Sequence, residues 1–139
     1  MSDALFTSKA TAVGGRDGRV KSDDGIIDLT LVNPSPNNKK EGTNPEQLFA
    51  AGYSACFDGA LNLIAKKQKK DIDSSITAEV SLLKDHTDDG FKIGVVLNAH
   101  IKGVSQEVAE KLVEDAHQFC PYSKATRGNV NVTLNTTVE

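Results

Sequence analysis

The chain has 139 residues and a formal net charge of −3, with 38% hydrophobic and 25% charged residues. This composition is typical of one soluble globular domain, here residues 1–139, and excludes the disordered, collagen-like and membrane-spanning classes. The small negative charge also argues against a nucleic-acid partner, because a protein that binds a phosphate backbone needs a basic surface.

The N-terminus does not suggest targeting to another compartment. The N-terminus lacks a basic stretch followed by a long apolar one, and no later run approaches the roughly 20 apolar residues of a transmembrane helix. We therefore expect a cytoplasmic protein that does not contact a membrane. In such a reducing compartment the two cysteines are not expected to form a permanent disulfide, which leaves free thiols or a redox pair that cycles.

The N-terminal segment predicts three strands. Small and apolar residues partly alternate with polar ones over residues 5–13, and Gly-Gly-Arg-Asp-Gly at residues 14–18 supplies a turn. This pattern indicates a hairpin. Residues 26–32 form a third candidate strand, which ends at the proline-containing loop 33–38 because proline cannot donate to a sheet ladder.

A long central helix is predicted from Asn44 to about Lys70. Asn44 is a favourable N-cap, Pro45 suits the first helical position, and Glu46 places a carboxylate in the first turn. Residues 48–65 are apolar on nearly every side, as in a helix buried on several faces. We interpret the lysines at its end as solvated charges that offset the helix dipole, in preference to a membrane or nucleic-acid patch.

The second half of the chain predicts a hairpin, a helix and a strand. Residues 76–84 and 91–101 alternate as strands around a turn rich in aspartate, and a helix should run from about Ser105 to Cys120. Residues 130–138 predict the closing strand. The order βββ-α-ββ-α-β lacks the regular alternation of a doubly wound parallel sheet, so we expect the α+β class with antiparallel sheets.

The two cysteines have different surroundings. Cys56 lies deep in the apolar helix, where a free cysteine often behaves only as a small hydrophobe. Cys120 precedes Pro121 at a helix boundary, where oriented N–H groups and access favour exchange chemistry. The residues alone leave both readings of each cysteine open.

Three stretches in the same order resemble the organic hydroperoxide resistance (Ohr) proteins of the Ohr/OsmC family, and the likeness covers essentially the whole chain. They are the arginine motif at residues 14–18, Gly-Thr-Asn-Pro-Glu-Gln-Leu-Phe-Ala-Ala-Gly-Tyr-Ser-Ala-Cys-Phe at 42–57, and His-Gln-Phe-Cys-Pro-Tyr-Ser-Lys-Ala-Thr-Arg-Gly-Asn at 117–129. The last stretch is more similar to the Ohr branch than to the OsmC branch. The resemblance implies an OsmC-like fold, with antiparallel sheets packed around a long central helix, in an intertwined homodimer.

The resemblance also implies a role for four residues. Cys56 matches the peroxidatic cysteine, Cys120 the resolving cysteine, Arg16 the arginine that stabilises thiolate and peroxide, and Glu46 the carboxylate that orients Arg16. A guanidinium is needed because burial of a thiol favours its neutral form. From the residues alone, Arg19 competes with Arg16, and Glu46 is equally compatible with a simple helix-dipole carboxylate.

Glu46 and Cys56 are ten residues apart, so one straight helix separates them by about 15 Å of axial rise. Either Arg16 spans part of this gap with the helix bent near Gly52, or a second chain completes the site. Both options stay open at this point. Four apolar residues are candidates for lining a peroxide pocket: Phe49, Phe57, Phe119 and Tyr122.

The implied function is a thiol-dependent peroxidase that reduces organic, lipid-like hydroperoxides to alcohols through a Cys56 sulfenic acid and a Cys56–Cys120 disulfide, protecting against organic peroxide stress. The resemblance implies lipoyl groups of partner proteins as the dithiol reductant. We expect no bound cofactor and no metal, because nucleotide fingerprints and clustered metal ligands are absent from the sequence. The alternatives are an OsmC-branch peroxidase and a non-catalytic dimeric ligand-binding stress protein.

Overall fold

A computed structural model describes residues 3–139, and these divide into two compact units, one up to Leu48 and one from Phe49 to Glu139. The α+β class and the predicted order of strands and long helices are confirmed. The prediction of one domain over the whole chain stays a prediction.

The first unit contains a three-stranded antiparallel sheet in the order β1 (Ala10–Val13), β2 (Arg19–Ser22) and β3 (Asp28–Thr30). The predicted N-terminal hairpin is therefore present, with one turn of 3₁₀ helix between β1 and β2. Gly14 and Gly15 enter this turn with φ of 81° and 60°, in the left-handed region that glycine adopts without a steric penalty. The turn presents the arginine motif at the end of the hairpin.

The long helix α1 covers Pro45–Lys67. Its start agrees with the prediction, because the Asn44 side chain accepts a hydrogen bond from the N–H of Gln47 at 2.7 Å. Its end comes earlier than the predicted Lys70. Lys69 takes a left-handed conformation with φ of 57°, which stops the helix, and the N–H of Lys70 bonds back to the carbonyl of Ala65 at 2.8 Å.

By length and composition alone, α1 is apolar enough to cross a membrane, with a mean hydropathy of 1.3 in its most apolar stretch. The prediction that no stretch approaches the apolar length of a transmembrane helix is therefore wrong by this measure. Core helices of soluble proteins pass the same test, and one face of α1 lies in the core of the second unit. The buried residues on that face are Tyr53, Phe57, Ala60, Leu61 and Ala65.

The second unit contains a three-stranded sheet in the order β4 (Asp73–Asp85), β5 (Gly90–Lys102) and β6 (Val132–Val138). β4 and β5 form the predicted antiparallel hairpin, whereas β6 pairs parallel with β5. The prediction of purely antiparallel sheets is thus corrected at the last strand. The reason is the crossover through α2 (Gln106–Phe119) and an additional short helix, α3 (Pro121–Thr126), which returns the chain in the direction of β5.

The core of the second unit forms where α1 and α2 cover one face of this sheet. Alternate residues of β5 point to the core because side chains of a strand alternate between its two faces. The fully or nearly fully buried apolar side chains of the sheet and of α2 are Val95, Leu97, Ala99, Ile101, Ala109, Leu112, Val113 and Ala116.

Candidate active site

Cys56 lies near the middle of α1 at the border of the buried face. Tyr53, one turn earlier, and Ala60, one turn later, are both buried, so the helical period places Cys56 beside the core. Its thiol is free and partly buried. This position holds the sulfur on a rigid element without removing it completely from solvent.

Cys120 lies at the junction of α2 and α3. Its N–H bonds to the carbonyl of Ala116 at 2.8 Å, and its own carbonyl accepts the N–H of Lys124 at 2.9 Å. Pro121 takes the first position of α3, where the missing N–H is not needed, and it favours the extended backbone of Cys120. This turn aims the fully buried Cys120 sulfur at α1, and the two Sγ atoms of Cys120 and Cys56 lie 3.7 Å apart.

The environment of Cys56 within the second unit favours its neutral thiol. Burial raises the pKa of the Cys56 thiol, and the adjacent Cys120 raises it further. The backbone N–H of Tyr122, in the first turn of α3, opposes this rise because it stabilises the anion. The pKa nevertheless stays above its ordinary value, so a thiolate at neutral pH needs an additional positive group.

Arg16 and Glu46 form a bidentate ion pair within the first unit. Nη1 and Nη2 of Arg16 donate to Oε1 and Oε2 of Glu46, each at 2.8 Å. The hydrogen bond from Arg16 lowers the pKa of Glu46, and the same bond raises the pKa of Arg16, so both groups are ionised. Arg19 binds Asp28 at 2.6 Å and Thr30 at 2.9 Å. Arg16 and not Arg19 is therefore the partner of Glu46.

The structure thus joins the four predicted site residues in two pairs, Arg16 with Glu46 in one unit and Cys56 with Cys120 in the other. Among residues 3–139, no three histidine, cysteine or acidic side chains come together as a set of metal ligands. The catalytic roles predicted for the four residues stay predictions.

The four predicted pocket residues lie in three environments. Phe49 and Tyr122 pack edge to face, with ring centroids 5.9 Å apart. Phe57 is fully buried in the core, because it lies on the face of α1 that is turned to the interior. Phe119 at the end of α2 is 40% exposed, with the Lys67 ammonium 5.2 Å from its ring. Of the four, Phe49 and Tyr122 thus pack ring against ring.

Phe49 also lines a cavity of about 750 Å³ in the second unit. This volume lies within the range of small-molecule sites. Apolar and polar side chains share its wall. The other lining residues include Leu83, Asp85, Lys92, Ile93 and Val130.

A buried group of hydroxyls was missed by the sequence analysis. The Tyr53 hydroxyl lies 2.8 Å from Ser123 Oγ and 3.1 Å from Thr126 Oγ1, and His117 Nδ1 lies 2.8 Å from Ser123 Oγ. A signal was available, because Tyr53 comes one turn before the first cysteine and Ser123 one turn after the second. Only the packing shows that these two residues meet.

Comparison with known proteins gives consistent matches over nearly the whole chain. Residues 37–135 match the family described as OsmC-like protein. The chain is 60% identical over 134 residues to organic hydroperoxide resistance protein OhrB of Bacillus subtilis, covering 94% of this chain and 97% of the relative. It is 53% identical to OhrA of the same organism, covering 96% of this chain and 97% of OhrA.

Solved structures agree with this result. The crystal structure of OhrB of Bacillus subtilis superposes with a TM-score of 0.93 at 57% identity, covering 96% of this chain and 100% of OhrB. An organic hydroperoxide resistance protein from Elizabethkingia anophelis superposes with a TM-score of 0.92 at 45% identity, covering 99% of this chain and 100% of that chain. The fold is therefore shared along the full length of these relatives.

Proposed function

The chain belongs to the OsmC-like family, and within it to the organic hydroperoxide resistance proteins, and on this premise we propose that it is a cysteine-based peroxidase that reduces organic hydroperoxides to alcohols. The observation that carries the proposal is the approach of two free thiols, Cys56 and Cys120, to 3.7 Å between their sulfur atoms. The biological role would be protection against organic peroxide stress.

In the proposed cycle the Cys56 thiolate attacks the O–O bond of the hydroperoxide. The sulfur takes one oxygen and becomes a sulfenic acid, while the other oxygen leaves as alkoxide and takes up a proton to give the alcohol. The Cys120 sulfur then attacks the Cys56 sulfur, an S–S bond forms, and the S–O bond breaks. The departing hydroxide takes the Cys120 proton and leaves as water.

The geometry supports the second step. A disulfide has an S–S bond of about 2.05 Å, so the two sulfurs, now 3.7 Å apart, need to approach by less than about 2 Å. Cys120 is fully buried, which limits attack on its sulfur by other molecules. It is therefore placed to react with Cys56 and little else.

We assign the activation of Cys56 to Arg16. Burial holds the pKa of the Cys56 thiol above its ordinary value. A nearby cation lowers the pKa because it stabilises the thiolate, and each pKa unit corresponds to about 1.4 kcal/mol of preference for the charged form. Arg16 is kept ionised by Glu46, whose two carboxylate oxygens fix the plane of the guanidinium. Glu46 would thus orient the arginine that stabilises thiolate and peroxide.

We further propose that the active form is a homodimer. Large apolar side chains of the first unit are exposed in the single chain, and only 28% of the most apolar stretch of α1 is buried. Apolar surface of this extent is typical of obligate interfaces between subunits. Sedimentation equilibrium should give twice the chain mass of 14.8 kDa, and a stable monomer would contradict the proposal. The most exposed of these side chains are Leu5, Phe6, Val13 and Ile26.

The proposed cycle needs a reductant but no bound cofactor, because the electrons pass through the two sulfurs. A dithiol reopens the disulfide by two exchange steps. We propose that lipoyl groups of partner proteins supply this dithiol in the cytoplasm, as the family resemblance implies. This part of the proposal rests on the resemblance and not on any contact in the chain.

The decisive experiment is peroxide consumption by the pure, reduced protein. Cumene or tert-butyl hydroperoxide would be the substrate, hydrogen peroxide the comparison, and dihydrolipoamide the reductant, with Cys56→Ser as the matched variant. Fast turnover that is lost in Cys56→Ser supports the proposed function. Absence of turnover in folded, reduced protein favours a non-catalytic ligand-binding protein, and preference for another reductant or for hydrogen peroxide favours an OsmC-branch peroxidase.

A further inference from the structure

One buried polar feature has no part in the proposed cycle, namely the group formed by Tyr53, Ser123, Thr126 and Nδ1 of His117. We call it the hydroxyl clamp. Tyr53 and Ser123 are fully buried and Thr126 is 3% exposed. Their oxygen atoms lie 2.8 Å and 3.1 Å from the Tyr53 hydroxyl oxygen, well within hydrogen-bond distance.

The hydroxyl clamp joins three helices through the Ser123 Oγ atom. Tyr53 belongs to α1, Ser123 and Thr126 belong to α3, and His117 belongs to the last turn of α2. The Ser123 hydroxyl contacts both the Tyr53 hydroxyl and His117 Nδ1, each at 2.8 Å. Ser123 is therefore the shared partner through which α1 and α2 both hold α3.

These bonds resist displacement of α3 more strongly than the apolar contacts around them. Moving α3 away from α1 leaves buried hydroxyls without partners, which costs far more than loosening an aromatic contact. The ring of Tyr122, on the same helix, packs against Tyr53 at a centroid distance of 5.6 Å, but such a contact tolerates sliding. The directional bonds of Ser123 therefore hold α3 against α1 and α2.

The hydroxyl clamp lies next to the sulfur pair both on α1 and at the start of α3. Tyr53 is three residues before Cys56 on α1, and Ser123 is three residues after Cys120, which caps the start of α3. Residues three apart on a helix share a face. The Tyr53–Ser123 bond and the Cys56–Cys120 approach thus connect the same two segments, one helical turn apart.

We propose that Ser123 is a positioning residue for closure of the Cys56–Cys120 disulfide, acting through its hydrogen bonds to Tyr53 and His117. This role rests on the proposed function, because disulfide closure is its second step. Ser123 holds Cys120 opposite Cys56, so that the Cys120 sulfur meets the sulfenic acid before a second peroxide does. The bonds made and broken are those of the cycle above, and Ser123 exchanges no proton or electron.

A first experiment tests this positioning without any peroxide. The protein is equilibrated with reduced and oxidised glutathione, and the fraction of Cys56–Cys120 disulfide gives the effective concentration of one thiol toward the other. Ser123→Ala should lower this effective concentration by about tenfold, because less tightly held thiols lose more conformational freedom when the disulfide closes. Tyr53→Phe, which removes only a hydroxyl, should lower it in the same direction.

The double variant Tyr53→Phe/Ser123→Ala should show little more loss than Ser123→Ala alone, because Tyr53 acts through its bond to Ser123. Lys124→Ala is the matched control on α3, since this exposed residue lies outside the hydroxyl clamp. Ile101→Val, a buried change on β5, controls for general loss of stability. Both controls should keep the effective concentration of the unchanged protein.

A second experiment measures the consequence during oxidation. Reduced protein is treated with rising cumene hydroperoxide, and mass spectrometry separates the Cys56–Cys120 disulfide from sulfinic acid at Cys56. Ser123→Ala should reach half sulfinic acid at about tenfold lower peroxide, because slower closure gives the second peroxide more time.

The two experiments separate failure of the inference from failure of the proposed function. If Ser123→Ala and Tyr53→Phe both retain the effective concentration of the unchanged protein, Ser123 has no positioning role, whatever the peroxidase activity. If the effective concentration falls but no variant reacts with peroxide, the positioning stands and the peroxidase proposal fails. Should Ser123→Ala not fold, Tyr53→Phe alone decides the question.

Discussion

The Sγ atoms of Cys56 and Cys120 lie 3.7 Å apart across the contact between α1 and the α2–α3 junction, and both thiols are free. Their surroundings differ, since Cys120 is fully buried whereas Cys56 is only partly so. The pair therefore has one sulfur that solvent can reach and one that mainly the first sulfur can reach. This asymmetry supports the proposal that Cys56 makes the first attack on peroxide.

Removing the buried thiol should therefore separate the two steps. Cys120→Ser is expected to consume about one equivalent of organic hydroperoxide at a rate near that of the unchanged protein, and then to stall. With excess peroxide, the peptide containing Cys56 should gain the mass of two oxygen atoms. Sustained turnover by Cys120→Ser with dihydrolipoamide would show that the second cysteine is not the resolving residue.

The Arg16–Glu46 ion pair predicts that substitution of Arg16 changes the pKa of Glu46. Because Arg16 lowers the pKa of Glu46, the stabilisation from this pair is present above the ordinary carboxyl pKa and is lost as the pH falls through the lower folded value. In Arg16→Ala the pKa of Glu46 should rise towards its ordinary value. Arg16→Lys should give an intermediate result, because lysine lacks the bidentate fork.

Carboxyl-detected NMR titration of Glu46 measures this change. Arg19→Ala is the control, since Arg19 binds Asp28 and Thr30 instead. The rate of Cys56 oxidation should also fall in Arg16→Ala, while Arg19→Ala should retain it. An unchanged Glu46 titration in Arg16→Ala would contradict the ion pair itself.

Gly52 predicts a stability effect that depends on Tyr122. A Cβ atom at Gly52 would lie 2.5 Å from the Tyr122 hydroxyl oxygen and 3.0 Å from Cζ, which is too close without movement of the ring. Gly52→Ala should therefore lose the gain of about 1 kcal/mol that alanine normally brings to a helix, because overpacking costs about 1–3 kcal/mol. In a Tyr122→Ala background the same change should stabilise the protein.

Urea unfolding of the unchanged protein, Gly52→Ala, Tyr122→Ala and the double variant gives the coupling free energy between residues 52 and 122. Gly59→Ala is the matched control on the same helix, because no atom lies within 4 Å of a Cβ built there. It should stabilise the chain by up to about 1 kcal/mol. A destabilising Gly59→Ala would indicate that a second copy covers this face of α1, and an equal effect of Gly52→Ala in both backgrounds would exclude the contact with Tyr122.

His117 predicts a loss of stability at mildly acidic pH. Burial, aided by the charge of Arg127, lowers the pKa of His117 from its ordinary value of 6.5. Below that value the unfolded chain takes up a proton that the folded chain resists, so the free energy of unfolding falls as the pH decreases toward the lower folded pKa. Urea unfolding between neutral and mildly acidic pH should show a weaker dependence for His117→Gln. Equal slopes would mean that His117 titrates normally in the folded state.

The ends of some helices were predictable from the sequence because they depend only on neighbouring residues. The helix start at Asn44 and the break at Cys120 and Pro121 depend on which backbone groups lack partners in one turn. The end of α1 was misplaced because Lys69, a residue with little tendency to a left-handed conformation, adopts one. A conformation of this kind has no marker in the sequence.

The sequence by itself determined the strands and the two long helices, because hydrophobic period and capping act over a few residues. Through its resemblance to the Ohr proteins, it also indicated Cys56 and Cys120 as the candidate reactive groups. Only the tertiary structure decided the choice of Arg16 over Arg19 for Glu46, the parallel pairing of β6, and the meeting of Tyr53 with Ser123. These are contacts between segments far apart in the chain, where many partners satisfy the same local pattern and packing selects one of them.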